Sequence, residues 1–401
     1  LSKIRGLIRH GMEKKQTMAL VIVLINLFLA FLGISLVIPV VPTIMNELHL
    51  SGSIVGYLVA AFAFLQLLAS PVAGRWVDRL GRKRMIVIGL VIFAFSEFLF
   101  GIGQDVVVLF ISRMFGGVSA AFIMSAVTAY IADITSLEYR PKALGYMSAA
   151  INTGFIIGPG VGGFLAGIGT RVPFFFAAGF ALVAVVLSVI LLREPERHHD
   201  DVQQIPGAQT TGWKRIFAPV YLISFLIIFI FSFGLSSFES LFSLFADHKF
   251  GFTPTDIAIM ISGGGILGAI FQVVFFGYFI KWFGEIRLIR YCLIFSTVLV
   301  FLMTLVHEYY TILAVTVTIF VGFDLMRPAV TNYLSRIAGN EQGFVAGMNS
   351  MFTSIGNVIG PVIGGLLFDI DLDYPFYFAA ILLAVGIGIT FAWKDLAKDH
   401  A

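Results

Sequence analysis

Cysteine is nearly absent: Cys292 is the only one in 401 residues, which excludes an intrachain disulfide and a cysteine-ligated metal centre. Charge is scarce too. Only 12% of the residues are Asp, Glu, Lys or Arg, far fewer than a water-soluble protein of this length needs to cover its surface. The chain has no phosphate-binding glycine loop, no soluble catalytic segment and no cluster of His, Cys and acids. These absences argue against ATP-driven pumping, enzymatic chemistry, a metal or a cofactor, and nothing asks for nucleic acid. The one histidine pair, His198-His199, stands in a polar stretch where solvation explains it. A small-residue cleavage site is also missing after the first apolar run, which reads as a retained helix rather than a signal peptide. There is no starting Met; Met12 reads as a start and residues 1–11 as an extension before it.

What the chain has in quantity is apolar sequence, 59% of it. Runs near twenty residues recur from end to end, each long enough to cross a bilayer as a helix. The pattern predicts twelve spans: 18–41, 54–74, 85–103, 107–132, 143–167, 173–192, 218–241, 257–280, 288–306, 311–335, 343–368 and 375–393. The expected class is an all-α membrane protein. Of the 26 Lys and Arg, 22 fall on the side that holds both termini. Arg171 and Lys249 fall on the other side, and Arg113 and Arg327 lie inside spans. By the positive-inside rule both termini are expected in the cytoplasm. The outer loops are acidic instead, with Asp369, Asp371 and Asp373 close together. The longest connection is polar and of mixed charge, as a solvated linker should be. The organisation read from this is an N-terminal segment 1–17, a six-helix bundle 18–192, a linker 193–217, a second six-helix bundle 218–393 and a tail 394–401.

The two halves repeat each other. At an offset of 203, Gly74 and Gly81 fall on Gly277 and Gly284, and AVTAY at 126–130 falls on AVTNY at 329–333. At 202, GFIIGPGVGG (154–163) falls on GNVIGPVIGG (356–365). In the first copy Gly154, Gly158 and Gly162 make one side-chain-free stripe on a helix, and Gly356, Gly360 and Gly364 do so in the second, so another backbone can approach closely. Gly163 and Gly365 close the two copies. Pro159 and Pro361 each free a carbonyl one turn earlier, at Phe155 and Asn357, and allow bending. Because each half has an even number of spans, the repeats are parallel. Parallel repeats imply a pseudo-twofold axis along the membrane normal, a central site and alternating access.

Four stretches then match a known pattern in the right order: GISLVIPVVP at 33–42, GRWVDRLGRKR at 74–84, SRMFGGVSAA at 112–121 and GFIIGPGVGG at 154–163. With them the chain resembles the major facilitator superfamily, and within it the twelve-helix drug:proton antiporters, the group of the Bacillus multidrug-efflux proteins and the staphylococcal quinolone-efflux protein. The resemblance covers essentially everything after Met12. It implies the major facilitator fold, two pseudo-twofold-related six-helix bundles, and proton-coupled efflux of hydrophobic, often cationic compounds across the bacterial plasma membrane. One departure is visible in span 4, where relatives carry proline-glycine and this chain has Ser125-Ala126.

Five charged residues lie well inside spans, away from their ends: Glu97, Arg113, Glu239, Asp324 and Arg327. At the offset of 203 their counterparts are Val300, Thr316, Leu36, Ala121 and Met124, none of them charged. The fold is duplicated and these charges are not, so they point to function. A carboxyl in apolar surroundings can hold a proton, and a nearby cation favours its ionised form. One group such as Glu239 can thus exchange a proton for a drug cation. The resemblance supports Glu239 and Asp324 as proton and substrate sites. The other readings are a hydrated mouth residue for Glu239 and, for Asp324 with Arg327 three residues on, a local ion pair bracing the helix before Pro328. Arg113 is either a carboxylate's partner in proton coupling or an anchor for a backbone carbonyl. Glu97 either joins the coupling or reaches the outer interface.

Asp78 and Arg79, between Gly74 and Gly81, and Arg82 just after them make the loop after span 2. Charge asymmetry explains the bases. The resemblance implies that Asp78 adds a charge-relay contact locking the halves, and since Lys281 stands at its repeat position, only one such gate is expected intact. For the pocket, Tyr130, Tyr146, Phe320 and Phe323 are candidate aromatic faces for flat cations, against plain helix packing among 42 phenylalanines. Asn26, Asn152, Asn332, Asn349, Gln66 and Gln272 are intramembrane polar groups, explained either by interhelical hydrogen bonds or by a cavity, with Asn152 beside the stripe. The expected partners are lipophilic cationic drugs or dyes, protons and lipid, acting on a functional monomer. The rivals are a proton-coupled symporter or facilitator for a small nutrient, whose pocket should hold more hydrogen-bonding groups, and a non-transport membrane sensor.

Overall fold

The computed structural model describes residues 14–136, 139–195, 219–338 and 342–393. The segment 1–13, most of the linker with His198 and His199, and the tail 394–401 lie outside the described residues. Among the described residues there is no strand, and twelve helices are long and apolar enough to cross a membrane. An all-helical chain is what a bilayer demands, because every backbone polar group must be paired within its own segment. The exposed side chains are themselves apolar: Val273 is 84% exposed and Phe164 74%. Such a surface suits lipid.

Span 1 is expected to run unbroken over 18–41. Instead a helix over Lys14–Leu36 gives way to a 3-10 turn at Ile38–Val40 and a short helix at Val41–Glu47. Pro39 and Pro42 are the reason: each lacks the N–H that would bond the carbonyl one turn back, at Ser35 and Ile38. Spans 2 to 6 are Gly52–Leu80, Arg82–Ile102, Val106–Ile134, Arg140–Ala166 and Val172–Leu191. Span 4 is continuous, in keeping with Ser125-Ala126 in place of a proline. Span 7 is Pro219–Phe250. Span 8 is Pro254–Ile270, a π-helical segment Phe271–Phe275 and Phe276–Phe283. Spans 9 to 12 are Glu285–Leu305, Tyr309–Ala338, Gln342–Ile370 and Tyr374–Phe391. The helices are mostly longer than the apolar runs that announce them, since their polar ends stay helical outside the apolar core.

The described residues divide into two compact units. One is drawn from Leu1–Leu48, Ala61–Asp200 and Pro254–Ala258, the other from His49–Ala60, Asp201–Thr253 and Ile259–Ala401. Relative to the expected bundles, two short segments change places. Within the second unit, Gly52 and Ser53 donate their backbone N–H groups to the Asp369 carboxylate at 2.6 and 3.0 Å. There a Cβ added to Gly56 would overlap the Pro361 carbonyl, and one on Gly365 would meet the carbonyl of Gly52. Within the first unit, Gly163 leaves room for Pro254, Thr255 and Ala258.

Each unit is sewn together along its glycine stripe. In the first, an added Cβ at Gly154, Gly158 or Gly162 would strike span 1 between Phe28 and Leu36. Ser35 Oγ donates across this seam to the Gly154 carbonyl at 2.9 Å, one residue before the carbonyl that Pro159 frees. In the second, Gly356, Gly360 and Gly364 pack in the same way on span 7 between Phe229 and Leu241. Ser236 Oγ donates at 3.4 Å to Asn357, the carbonyl freed by Pro361. The core of the first unit mixes aliphatic and small residues such as Leu27, Leu90, Ala126 and Ala181 around Phe93. That of the second is aromatic, with Phe225, Phe233, Phe238, Phe242, Phe245, Phe323 and Phe376 fully buried.

The seam gives a direct test. At Gly162 an added methyl group meets the Leu36 backbone carbonyl, whereas at Gly145, also on span 5, nothing lies within 4 Å. Gly162→Ala should cost about 1–3 kcal/mol through overpacking, while Gly145→Ala should be neutral or gain up to about 1 kcal/mol from helix propensity. Thermal unfolding of the purified protein in detergent checks the order of the two midpoints.

Candidate functional site

The five intramembrane charges separate into two groups of different character. In the first unit Glu97 is buried, with 1% of its side chain exposed, and Arg113 Nη2 donates to its Oε1 at 3.2 Å. The Arg113 guanidinium also lies 4.3 Å from the centre of the Phe100 ring. One residue earlier on each helix, Ser96 Oγ donates to the Ser112 carbonyl and Ser112 Oγ to the Ser96 carbonyl, both at 2.7 Å. Spans 3 and 4 are therefore joined by a reciprocal hydroxyl staple directly beside the ion pair. The expectation that Glu97 might only reach the interface is corrected: its carboxylate is enclosed and the Arg113 partner is that carboxylate rather than a backbone carbonyl. The staple was not foreseen, although serines sixteen apart, each one residue before a charged residue, were its visible sign.

The second group belongs to the other unit. Glu239, on span 7, and Arg327, on span 10, are exposed on the unit's surface, and Asp324 is half-buried. Both Arg327 and Asp324 act electrostatically on Glu239, and Arg327 acts on Asp324. Among the described residues no ion pair at contact distance joins any two of the three. The local Asp324–Arg327 pair, the alternative reading of their spacing, is thus absent at contact distance. Arg327 is instead 5.7 Å over the Phe231 ring, and Asp324 rests on span 8 where Gly268 has no side chain to displace it. Three residues beyond Gly268 the span turns π-helical. A π-segment widens the helix locally and is a common feature of functional sites. Its repeat position in span 2 is 68–72, which contains Pro71. Pro71 removes one helical hydrogen bond while span 2 stays α-helical, whereas span 8 widens with no residue that sequence reading recognises.

The aromatic candidates fall differently from expectation. Phe320 and Phe323 are buried, packing on Phe238 with centroids 6.0 and 6.2 Å apart, and Phe323 also meets Phe231. Tyr130 is buried in the first unit's core, and its hydroxyl donates to the Arg193 carbonyl at 2.8 Å. For these three, packing replaces the cavity-lining role, because their helix faces look into the core. Tyr146 is half-buried. Asn152 is exposed on span 5, and Asn349 is half-buried on span 11 with Thr353 donating to its Oδ1 at 3.5 Å. Asn26 bonds Ser188 at 2.6 Å and Asn332 bonds Glu285 at 2.9 Å, both helix-to-helix ties.

At the basic end of the first unit, Arg82 reaches Asp133 at 2.7 Å and Asp78 at 3.2 Å. Gly81 has φ 101°, and a Cβ there would collide with the Glu194 carboxylate. That carboxylate accepts the backbone N–H groups of Arg82 and Lys83, capping span 3. Arg79 points away from this network and is exposed, and nothing lies near enough to Gly74 to require a glycine. Glu194 was read as linker; here it is part of the loop's framework.

Against known families, residues 23–326 and 229–400 match the Major Facilitator Superfamily. The chain belongs to this superfamily. It is 72% identical to "Multidrug resistance protein 1" of Bacillus subtilis (strain 168), over 97% of this chain and 100% of that protein. It is 54% identical to "Multidrug resistance protein 2" of the same strain, over 96% and 98%. With "Quinolone resistance protein NorA" of Staphylococcus aureus (strain MRSA252) it shares 44% identity, over 92% and 95%. Among solved structures, a bacterial homolog of the human lysosomal transporter Spinster, inward-facing and occupied, gives a TM-score of 0.82 at 15% identity, over 96% of this chain and 97% of that one. That likeness concerns the fold alone. The chain is a multi-pass protein of the bacterial plasma membrane, built on the major facilitator fold.

In a superfamily member of this architecture, the enclosed Glu97–Arg113 pair can be separated from the exposed group by mutation. Removing one partner leaves a buried, uncompensated charge and should cost about 3–5 kcal/mol. Arg113→Met and Glu97→Gln should each lower the thermal midpoint sharply, and the double variant should recover most of the loss. Detergent-phase melting of the three variants beside the parent measures it.

Proposed function

We propose that this protein exports lipophilic, often cationic compounds from the cell in exchange for protons, by alternating access, with both termini in the cytoplasm. The efflux reading is supported by identities of 72% and 44% to proteins named for multidrug and quinolone resistance. The observation that carries the exchange mechanism is the group of Glu239, Asp324 and Arg327. An ionised side chain facing lipid near the bilayer centre costs roughly 2.5–3.5 kcal/mol even on lenient scales. Glu239 and Arg327 are nevertheless exposed and unpaired at contact distance, so the surface they share must face water or substrate at some point in the cycle.

In this reading Glu239 and Asp324 are the coupling carboxylates. An ionised Glu239 attracts a cationic compound, and a proton arriving from outside neutralises the carboxylate and releases the compound. Arg327, three residues from Asp324 on span 10, is the cation of the group. Asn152 and Asn349 offer hydrogen bonds to the compound, and Tyr146 offers a ring face. The glycine stripes, with Pro159 and Pro361, supply close packing and bending. Asp78 and Arg82 brace the basic end.

In proteoliposomes with an imposed pH gradient, the parent protein should move ethidium against its concentration gradient, and collapsing the gradient should stop it. Glu239→Gln and Asp324→Asn should each reduce gradient-driven transport at least tenfold while remaining folded. Ethidium movement that continues unchanged after collapse would overturn the antiport reading.

A further inference from the structure

The loop framework at the basic end of the first unit has a counterpart in the second, with three of its charges reversed. At the offset of 203, Arg82 corresponds to Glu285, Asp133 to Arg336 and Asp78 to Lys281. The structure makes the first two equivalences physical. Arg82 and Asp133 approach to 2.7 Å in the first unit; Glu285 and Arg336 approach to 3.0 Å in the second. In both units the pair ties the first residue of one span to the last turn of the next, spans 3 and 4 or spans 9 and 10. In both, a glycine with positive φ precedes the pair: Gly81 at 101° and Gly284 at 73°. In both, the residue contributed by the earlier span is largely buried, with 11% of the Arg82 side chain exposed and 8% of that of Glu285.

The reversal also follows a local electrostatic rule. A helix N-terminus favours a carboxylate and disfavours a cation. Span 9 begins with its own carboxylate, Glu285. Span 3 begins with Arg82, and the carboxylate is supplied from elsewhere by Glu194. Each helix start therefore has an acidic group and each junction an ion pair, reached by opposite assignments of charge. Asn332 adds a second donor to Glu285 at 2.9 Å, on the span that also carries Asp324 and Arg327. The second copy of the loop, which looks degenerate when only Lys281 is compared with Asp78, retains the interhelical pair.

We propose that Glu285 and Arg336 are positioning residues that hold span 10 in register at the basic end, a charge-inverted equivalent of the Arg82–Asp133 pair. This rests on the exchange reading, since its consequence is the placement of Asp324 and Arg327. The Glu285–Arg336 pair spans the junction at one end of span 10, and the coupling residues lie about 14 to 18 Å away along the same helix. Loosening the pair changes how the helix moves as a unit rather than what the compound touches.

The test is a charge swap, because the corresponding junction of the first unit holds the opposite polarity, there with Glu194 capping the helix start. Glu285→Arg, Arg336→Glu and the double swap are reconstituted beside the parent, and ethidium transport is measured per folded molecule under the same pH gradient. Each single reversal should lower the maximal rate at least tenfold with little change in the half-saturating ethidium concentration. The double swap should return to within about threefold of the parent. Glu285→Gln, which keeps volume, and Arg336→Gln, which removes the charge, should lie between, so the reading survives if a single reversal does not fold. Single variants that transport at the parental rate per molecule, or a folded double swap no faster than the slower single, would overturn the proposal. Failure of the parent itself to transport under the gradient would count against the exchange reading instead.

Discussion

An ionised side chain inside an apolar slab is costly, and this chain keeps five of them there. Everything distinctive about the molecule follows from how that cost is met. In the first unit it is met by enclosure: Glu97 and Arg113 pair directly, the guanidinium covers an aromatic face, and two serines lock the helices on either side. Such a pair is neutral as a whole and largely buried. In the second unit the cost is left open. Glu239, Asp324 and Arg327 influence one another without closing into an ion pair, and two of the three are uncovered. A group in that condition changes state easily, and a carrier that exchanges a proton for a cation needs such a group.

Around these charges the duplicated parts supply mechanics. The two glycine stripes bring spans 5 and 11 so near spans 1 and 7 that a methyl group would overlap backbone, and serines bond across both seams. Near residue 70 of the first half and its repeat position in the second, one unbroken helix holds a proline and the other a π-segment. Even the exceptions to the charge asymmetry are occupied. Arg171 bonds the carbonyls of Gly101 and Gly103, and Lys249 bonds that of Thr304 and the carboxylate of Asp373. Each ties together the loops of its own unit.

Much of this was legible in the sequence because membrane helices announce themselves by composition. The count of spans, the repeat and the seams along Gly154–Gly162 and Gly356–Gly364 needed only run lengths and offsets. The site was less legible. That Glu97 and Arg113 are partners depends on how spans 3 and 4 pack, which no local pattern records. The local Asp324–Arg327 pair fails because a shared helix face does not make a bond when Phe231 and Gly268 offer each group another position. Phe320, Phe323 and Tyr130 looked like pocket residues because composition cannot tell a core face from a cavity face. The π-segment at Phe271–Phe275 has no sequence signature, and the charge-inverted junction was hidden because residue-by-residue comparison scores opposite charges as a mismatch.

The central claim is that carboxylates of the second unit give up protons when a cationic compound binds. It can be measured without any transport. Purified protein in weakly buffered detergent, near neutral pH and with a soluble pH indicator, is mixed with ethidium. The account predicts a prompt release of protons that saturates with the compound and disappears in the Glu239→Gln/Asp324→Asn double variant. Binding with no release from the parent, or equal release from that double variant, would contradict it.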